Sequence, residues 1–345
     1  MRKIKSFHSL PVTILISAFY GLSIVLASGT SLELLSVKRI WDKAPHSAFT
    51  DLILVKDVWY CVFREGSSHV PGSNGTIRLI KSKDGKDWED AAQISLKGVD
   101  LRDPKISLMP DGRLMLLMGG SVYDDDEKTQ RRKFMTARTH VSFSKDGVNW
   151  TPPQPIAIDE KSWLWRVTWQ DEYGYGFSYP IGVKSENLSI TLWRTKDGIN
   201  YEKIITPQIP KECYPDETTV RFLPDNTMVA LVRNENNSGP AFVGTSKPPY
   251  IEWKFVNAGK SVQGPNFLVL SENLMVYSGR DFAPGQRTVV GFMTLEKCLP
   301  VVYLPSKGDT SYPGMAFKDG IVYVSYYSTH EEKTAIYFAK LKLVE

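Results

Sequence analysis

Three seven-residue segments share one pattern: a hydroxyl residue, Lys-Asp-Gly, a variable residue, Asp or Asn, and an aromatic residue. They are residues 82–88, 144–150 and 195–201. Asp followed by Gly suits a tight turn, because the carboxylate accepts hydrogen bonds from nearby backbone N–H groups and glycine tolerates positive φ. A β-rich run precedes each segment. The pattern therefore predicts a series of similar β-sheet units.

A second feature occurs six times: a polar cluster leads into an apolar strand, a polar turn and another apolar strand. One anchor residue marks the start of each copy: Asp51, Asp103, Arg166, Glu217, Asn266 and Tyr312. Successive anchors lie roughly fifty residues apart, a period typical of repeat architectures. Because hairpin turns abound and helical periodicity is almost absent, six such units predict an all-β, six-bladed β-propeller. A five-bladed ring is the alternative.

Closure of such a ring requires the first strand to join the last blade. A strand near residues 32–40 is predicted to pair with the chain around residues 335–343. No linker-like segment interrupts the intervening sequence. Residues 28–345 are therefore predicted to form one propeller domain.

Residues 1–27 have the character of a secretory signal peptide. Arg2, Lys3 and Lys5 form a basic start, residues 11–26 are mostly apolar, and cleavage is predicted at the end of the segment. An uncleaved single-helix anchor is the alternative, because the apolar stretch is nearly long enough to span a bilayer. We therefore expect a secreted or periplasmic protein without stable membrane insertion after cleavage.

The charge balance argues against a nucleic-acid partner. The chain has 42 Lys and Arg against 38 Asp and Glu, a formal net charge of +4. Three of these bases lie in residues 1–27, so the remaining 39 bases nearly match the 38 acids. A polyanion-binding surface needs an excess of bases. A Walker loop, a dinucleotide fingerprint and an HExxH motif are also absent from the sequence, so no cofactor or metal is predicted.

The three Asp-Gly turns resemble the Asp-box turns of the sialidase superfamily, in a form one residue shorter between Asp and Gly. The resemblance implies a six-bladed propeller whose repeated turns lie on the rim, away from the active site. The order of the blades extends the resemblance over most of residues 28–345. Turns of this kind support a fold more strongly than a function.

The resemblance also implies a set of site residues. Members of the superfamily place a glutamate at the head of blade four, an arginine at the end of the next strand, and a tyrosine at the head of blade six. Glu217, Arg233 and Tyr312 match these positions. A further arginine of blade five is matched by Arg287, with Arg280 as a rival. Tyr312 would be the nucleophile, Glu217 its base, and the arginines a clamp for the substrate.

A tyrosine nucleophile suits a sugar whose anomeric carbon already bears a carboxylate, because a neutral phenol avoids charge repulsion and a nearby glutamate takes its proton. Arginine binds carboxylates through paired N–H donors. The implied activity is exo-acting hydrolysis of a terminal acidic sugar, such as sialic acid, from a glycan or glycoconjugate.

Blade one departs from the superfamily pattern in two places. Members carry an arginine at the blade-one head, and residues 47–52 contain none. Members also carry an acidic Asp on the loop after the second strand, whereas residues 66–75 contain His69 and no carboxylate. The predicted proton donor is therefore Asp51, Asp103 or His69. The two carboxylates are taken as equivalent strand heads of adjacent blades, facing a common ligand.

Other side chains near predicted blade heads complete the set of candidates. Arg64, Arg102 and Arg166 are predicted to replace the missing arginine as substrate-binding cations. Trp165 is predicted to stack against the apolar face of a sugar.

Two other functions are compatible with this sequence. A lyase-type propeller would use histidine and tyrosine to eliminate across a uronic acid. His69 on a loop without a carboxylate favours that alternative, and the pair of Glu217 and Tyr312 opposes it. A non-catalytic glycan-binding propeller would have aromatic residues at its mouth and catalytic groups too far apart to cooperate.

Overall fold

The protein is a ring of six antiparallel β-sheets, seen in a computed structural model that describes residues 29–70, 72–126, 131–283 and 285–344. The predicted six-bladed propeller is confirmed. The predicted signal peptide, residues 1–27, lies outside the described residues.

Each blade runs outward from the central channel, with its first strand innermost. Blade one contains β2 (His46–Val55), β3 (Val58–Gly66), β4 (Thr76–Ser82) and β5 (Glu89–Ile94). Blade two contains β6 (Asp100–Leu108), β7 (Leu114–Asp126), β8 (Arg131–Ser144) and β9 (Gln154–Pro155). Blade three contains β10 (Ser162–Leu164), β11 (Thr168–Gln170), β12 (Tyr173–Pro180), β13 (Thr191–Thr195) and β14 (Tyr201–Ile205).

The second half of the ring repeats this order. Blade four contains β15 (Pro215–Phe222), β16 (Met228–Asn234), β17 (Phe242–Ser246) and β18 (Lys254–Asn257). Blade five contains β19 (Gln263–Ser271), β20 (Leu274–Asp281), β21 (Arg287–Met293) and β22 (Cys298–Tyr303). Blade six contains β23 (Thr310–Lys318), β24 (Ile321–Ser328), β25 (Ala335–Val344) and β1 (Ser31–Trp41).

The two ends of the described chain meet in blade six. Strand β1 pairs antiparallel with β25, and Ser31 lies opposite Val344. This pairing joins the first strand to the last blade, as the sequence predicted. It also gives the β25 edge a partner, which removes a free edge at the point where the ring closes.

Helical structure among the described residues is confined to two short 3-10 turns, Ser185–Asn187 and Asn236–Ser238. No helix in this part of the chain is long and apolar enough to cross a membrane.

The hydrophobic core lies between the blades. Each pair of adjacent blades encloses one cluster of buried apolar side chains, for example Val276 and Phe292 of blade five against Val322 and Tyr337 of blade six. The six interfaces together form a ring of apolar packing. Because burial of this surface holds the blades together, the innermost strands are free to carry polar side chains toward the axis.

The three repeated turns join the third and fourth strands of blades one to three. In the second turn, Ser144 Oγ accepts a hydrogen bond from the Gly147 N–H at 2.9 Å. Asp146 Oδ1 accepts from the N–H groups of Val148 and Asn149, both at 2.8 Å. The hydroxyl and carboxylate therefore satisfy the backbone of the turn, which explains why these residue types recur.

Each turn also packs against the preceding blade. Gly147 has a φ of 74°, and a Cβ atom there would lie 2.3 Å from the Tyr60 ring of blade one. A Cβ on Gly198 would lie 2.6 Å from Met115 of blade two. Glycine at this position is thus required by the close approach as well as by the positive φ.

Substitution of Gly147 by alanine should destabilise the propeller more than the same substitution at Gly112. Both residues have positive φ, and a Cβ on Gly112 would meet no atom within 4 Å. Gly112→Ala should therefore show only the backbone cost of about 1 kcal/mol, and Gly147→Ala a further 1–3 kcal/mol or so from the clash with Tyr60. Urea denaturation measures both. Equal losses would mean that the Tyr60 contact does not constrain this turn.

Candidate active site

The innermost strand of every blade is interrupted at a comparable level. Five of them contain a register shift: between Ala48 and Asp51, Arg102 and Lys105, Pro215 and Thr218, Gln263 and Asn266, and Ser311 and Gly314. In blade three the strand is split into β10 and β11. Bulges redirect side chains and are common beside active sites. These interruptions carry the residues that cluster at the channel.

Tyr312, Glu217 and Arg233 form the centre of this cluster. Tyr312 Oη donates a hydrogen bond to Glu217 Oε1 at 2.6 Å. Arg233 Nη1 lies 3.0 Å from Tyr312 Oη and 2.6 Å from Glu217 Oε2. The backbone N–H of Gly264 donates to Glu217 Oε2 at 3.0 Å. The structure thus brings together three of the residues that the sequence nominated, Glu217 and Arg233 from blade four and Tyr312 from blade six.

Burial keeps the Tyr312 hydroxyl protonated. It raises the pKa of Tyr312 well above the usual value, and the neighbouring charge of Glu217 raises it further, whereas Arg233 acts in the opposite direction. The phenol therefore holds its proton at neutral pH and directs it toward the Glu217 carboxylate. A nucleophile in this state needs the adjacent base when it reacts.

Arg280, rather than Arg287, lies in the cluster. Arg280 Nη2 is 3.5 Å from Gln263 Oε1, and Arg280 contributes to lowering the pKa of Tyr312. Arg287 instead donates to the backbone carbonyls of Tyr303 and Leu304 at 3.3 and 3.2 Å. The physical reason is strand order, since Arg280 lies near the end of the second strand of blade five and Arg287 begins the third, one strand farther from the channel. The prediction of Arg287 as a clamp residue is corrected on this point.

The predicted equivalence of Asp51 and Asp103 is wrong. The register shifts align Asp103 with Phe49, and Asp51 with Lys105. Asp51 therefore lies two residues after Phe49, just beyond the bulge, and is fully buried. The blade-one head presents an aromatic ring where blade two presents a carboxylate.

Asp51 and Arg166 form a buried ion pair instead of facing a ligand. Arg166 Nη1 donates to Asp51 Oδ2 at 2.8 Å, and the Ile106 N–H donates to the same oxygen at 2.9 Å. This pair links the innermost strands of blades one and two with the interruption in blade three. Asp51 as proton donor and Arg166 as substrate ligand are both corrected, because each already has a buried partner.

Arg64 is also structural. Its side chain is 0% exposed, and its Nε and Nη2 atoms donate to Asp100 Oδ1 at 2.9 and 2.8 Å. Arg64 Nη1 donates to the Ser68 carbonyl at 2.9 Å, and the Gly75 N–H donates to Asp100 Oδ1 at 2.6 Å. Arg64 and Asp100 therefore hold both ends of the loop that carries His69. The prediction of Arg64 as a substrate ligand is corrected, since no ligand can reach it.

Asp103 lies at the mouth with Arg102 and Lys105 beside it. Burial raises the pKa of Asp103 above its usual value, against the lowering effect of Arg102 and Lys105. Arg102 Nε is 3.9 Å from Asp103 Oδ2. Burial also lowers the pKa of Lys105 to about 8, against the raising effect of Asp103. Blade two thus provides an acid that gains a proton readily.

Aromatic rings surround Tyr312. The Phe49 ring lies 5.2 Å and the Trp165 ring 5.5 Å from the Tyr312 ring, both edge to face. Lys105 Nζ lies 4.2 Å from the centroid of the Trp165 ring. Trp165 is only 1% exposed, so the prediction that it stacks against a sugar is corrected. It instead packs against the predicted nucleophile and helps to hold it in place.

His69 reaches the rim of the same mouth. His69 Nδ1 lies 2.6 Å from Asp309 Oδ2, and His46 Nε2 lies 3.0 Å from the same oxygen. The Tyr327 hydroxyl donates to Asp309 Oδ1 at 2.8 Å. The His69 ring is 4.9 Å from the Phe49 ring.

Sequence reasoning missed three members of this cluster: Phe49, Lys105 and Asp309. Asp309 directly precedes the innermost strand of blade six, so its place beside Thr310 and Tyr312 was a usable signal. Phe49 and Lys105 could not be identified without the bulge register, because each looks like an ordinary strand residue.

Several polar atoms around the mouth are buried and have no hydrogen-bond partner among the described residues: Gln263 Nε2, Arg280 Nε, Trp165 Nε1 and Asp216 Oδ1. Buried polar atoms in folded proteins are normally paired, so each unpaired atom needs an explanation. A polar ligand at the mouth would supply partners for groups of this kind. The arrangement combines a phenol and a neighbouring carboxylate with a second carboxylate and several cations.

No family model matches the sequence, and no curated protein matches it significantly. Solved structures do match its fold. A protein of unknown function from Dyadobacter fermentans has 18% identity and a TM-score of 0.78, over 91% of this chain and 99% of that one. The α-L-arabinofuranosidase Arb93A from Fusarium graminearum has 15% identity and a TM-score of 0.65, over 90% of this chain and 98% of that one.

Trypanosoma rangeli sialidase has 12% identity and a TM-score of 0.64, over 91% of this chain. The match spans 60% of the sialidase chain. At these identities the likeness shows the fold alone, which is a sialidase-like six-bladed propeller.

Proposed function

We propose that this protein is an exo-acting glycoside hydrolase that removes a terminal acidic sugar from a glycan. The observation that carries the proposal is the 2.6 Å hydrogen bond from Tyr312 to Glu217, with Arg233 against both. A phenol from blade six meets a carboxylate and a guanidinium from blade four at one end of the channel, where a sugar can enter. The solved glycosidases with this fold support a glycan as the substrate.

In the proposed reaction, Tyr312 Oη attacks the anomeric carbon while Glu217 accepts the phenolic proton. The glycosidic bond breaks, and the leaving oxygen takes a proton from Asp103. A water molecule then attacks the glycosyl–tyrosine bond and gives one proton to Asp103, while Glu217 returns its proton to Tyr312. Both groups regain their starting states, so protons and electrons balance, and two displacements imply retention of configuration.

Asp103 is the best-placed proton donor of the three that the sequence nominated. Asp51 is sequestered by Arg166, whereas Asp103 stands at the bulge that faces the mouth. Burial favours its protonated form, as a general acid requires. His69 is held against Asp309 at the rim.

An acidic sugar is supported by two cations that lack a close acidic partner. Arg102 lies 3.9 Å from its nearest carboxylates, Asp100 and Asp103, and Arg280 lies 4.0 Å from Asp309. Both side chains are mostly buried. Guanidinium groups in this state favour an incoming carboxylate, because it supplies paired acceptors in a partly desolvated site.

The test is a screen of the purified protein on glycans capped by sialic acids, uronic acids or neutral sugars, with released monosaccharide as the readout. Release of an acidic sugar, with retained anomeric configuration by NMR, is expected. Release of neutral sugars alone would contradict the substrate class, and binding without release would favour a non-catalytic glycan-binding propeller.

A lyase that eliminates across a uronic acid is the second candidate, because His69 and Tyr312 are both close to Phe49 at the mouth. A lyase product carries a new carbon–carbon double bond and absorbs ultraviolet light, whereas a hydrolase product does not. Ultraviolet monitoring of the same screen therefore distinguishes the two reactions.

The pH dependence of kcat/KM should reflect the protonation state of Asp103. A proton donor must be protonated, so kcat/KM should fall as the pH rises through the Asp103 pKa, which burial displaces upward. Asp103→Asn should remove this fall and lower turnover by about 10²–10⁴-fold. Substrates with a good leaving group, such as nitrophenyl glycosides, should lose less activity in the variant. A variant that keeps the same fall on the alkaline side would exclude Asp103 as the donor.

We also propose that the protein is secreted or periplasmic, because residues 1–27 have the character of a secretory signal peptide. An enzyme for external glycans fits such a location.

A further inference from the structure

Three side chains meet at the seam between blades one and six. His46 begins the innermost strand of blade one, His69 lies on the loop after its second strand, and Asp309 directly precedes the innermost strand of blade six. His46 Nε2 and His69 Nδ1 lie 3.0 and 2.6 Å from the same oxygen, Asp309 Oδ2. All three ligand atoms lie within 4.8 Å of one another.

We infer that His46, His69 and Asp309 form a binding site for a zinc ion. Two imidazole nitrogens and one carboxylate oxygen are a ligand set that zinc takes in sites that keep a fourth position open. Tetrahedral ligands at about 2.1 Å from zinc are about 3.4 Å apart. The separations of the two imidazole nitrogens from Asp309 Oδ2 are shorter than this by less than one ångström, so small side-chain movements would admit the ion.

The groups around the Asp309 carboxylate also support a zinc site. The Tyr327 hydroxyl donates to Asp309 Oδ1, the other oxygen of the carboxylate, at 2.8 Å. Metal-binding carboxylates are commonly oriented by such a hydrogen bond. Arg280, the nearest guanidinium group, approaches Oδ1 as well, at 4.0 Å. Oδ2 therefore faces the two imidazoles, and the positive charge lies on the other side of the carboxylate.

The site has one buried side and one open side. His46 is buried, whereas the side chains of His69 and Asp309 are 41% and 25% exposed. A bound ion would thus keep an open position for water or a substrate oxygen. The His69 ring lies 4.9 Å from Phe49, whose ring contacts Tyr312 at 5.2 Å, so the ion would stand on the wall of the candidate active site.

Zinc would also fasten the His69 loop to blade six. The sequence offered no motif for this site, because its ligands come from two ends of the chain and meet only when the ring closes. Zinc binding at this site does not depend on the proposed hydrolysis.

The experiment uses the purified full chain without a histidine tag, stripped with a chelator and titrated with zinc chloride by calorimetry. One equivalent of zinc should bind, and mass spectrometry of the dialysed protein should give the same stoichiometry. His69→Gln and Asp309→Asn should each weaken zinc binding by about 100-fold or more. His69 is on an exposed loop, so its variant should keep the wild-type melting temperature in the absence of zinc.

His330→Gln is the matched control. His330 is not one of the three ligands; it contacts Ser328 and the Tyr337 ring, and its replacement should leave zinc affinity unchanged. Cobalt(II) should give the visible absorption of a tetrahedral site in the wild type and lose it in His69→Gln. Absence of zinc binding in the wild type, or equal affinity in the wild type and both ligand variants, would overturn the inference. None of these results would decide whether the protein hydrolyses glycosides, which the glycan screen tests separately.

Discussion

Replacement of Tyr312 by phenylalanine should abolish turnover while the propeller stays folded. Without the hydroxyl there is no nucleophile for Glu217 to activate, so kcat should fall by at least about 10³-fold. The ring would keep its contacts with Phe49 and Trp165, and Glu217 Oε2 would keep Arg233 and the Gly264 N–H. Single-turnover assays on the sugar released in the glycan screen measure the effect.

Tyr326→Phe is the matched control for this substitution. Tyr326 is a buried tyrosine of the same blade, and its hydroxyl donates to the Pro305 carbonyl at 2.8 Å. It should retain wild-type kcat. Full turnover by Tyr312→Phe would exclude covalent catalysis through Tyr312.

Substitution of Asp51 by alanine should cause a large loss of stability. The change leaves the Arg166 guanidinium and the Ile106 N–H without their acceptor in a buried region. Removal of one partner from a buried ion pair costs about 3–5 kcal/mol, because the other charge remains uncompensated. The free energy of unfolding, measured by chemical denaturation, should fall by this amount. Asp51→Asn should lose less, since its amide oxygen can still accept a hydrogen bond.

Asp57→Ala is the control in the same blade. Asp57 forms an ion pair with Lys318 at 2.6 Å, and its side chain is 83% exposed. Solvent screens such a pair, so the loss should be limited to the backbone cost of alanine at the positive φ of Asp57, about 1 kcal/mol. If Asp51→Ala behaved like Asp57→Ala, the ion pair in the channel would not contribute to the stability of the ring.

Together these variants separate two uses of polar side chains on the innermost strands. Tyr312, Glu217 and Asp103 stand at the bulges and face the mouth, whereas Asp51 lies two residues deeper and pairs with Arg166. Both sets are buried and charged or polar, so burial alone does not mark the functional ones. The position relative to the bulge does.

The strand register explains why the predicted equivalence of Asp51 and Asp103 was wrong. Asp51 and Asp103 both begin an apolar run, and the sequence pattern made them equivalent. The bulge in β2 falls between Ala48 and Asp51, which shifts the true counterpart of Asp103 to Phe49. A shift of two residues leaves the alternation of apolar and polar residues unchanged, so the pattern contains no trace of it.

The sequence by itself determined the repeating unit and favoured six blades over five. The repeating unit depends on short segments whose hydrogen bonds are local, such as the turn in which Asp146 binds the N–H groups of Val148 and Asn149. It also nominated Tyr312, Glu217 and Arg233, through resemblance.

Only the tertiary structure decided which polar side chains meet. The pairing of Asp51 with Arg166, of Arg64 with Asp100, and of His69 with Asp309 joins segments from different strands or blades. Such contacts depend on the bulges, the order of the strands and the closure of the ring. Those determine distances between residues far apart in the chain, and no short segment encodes them.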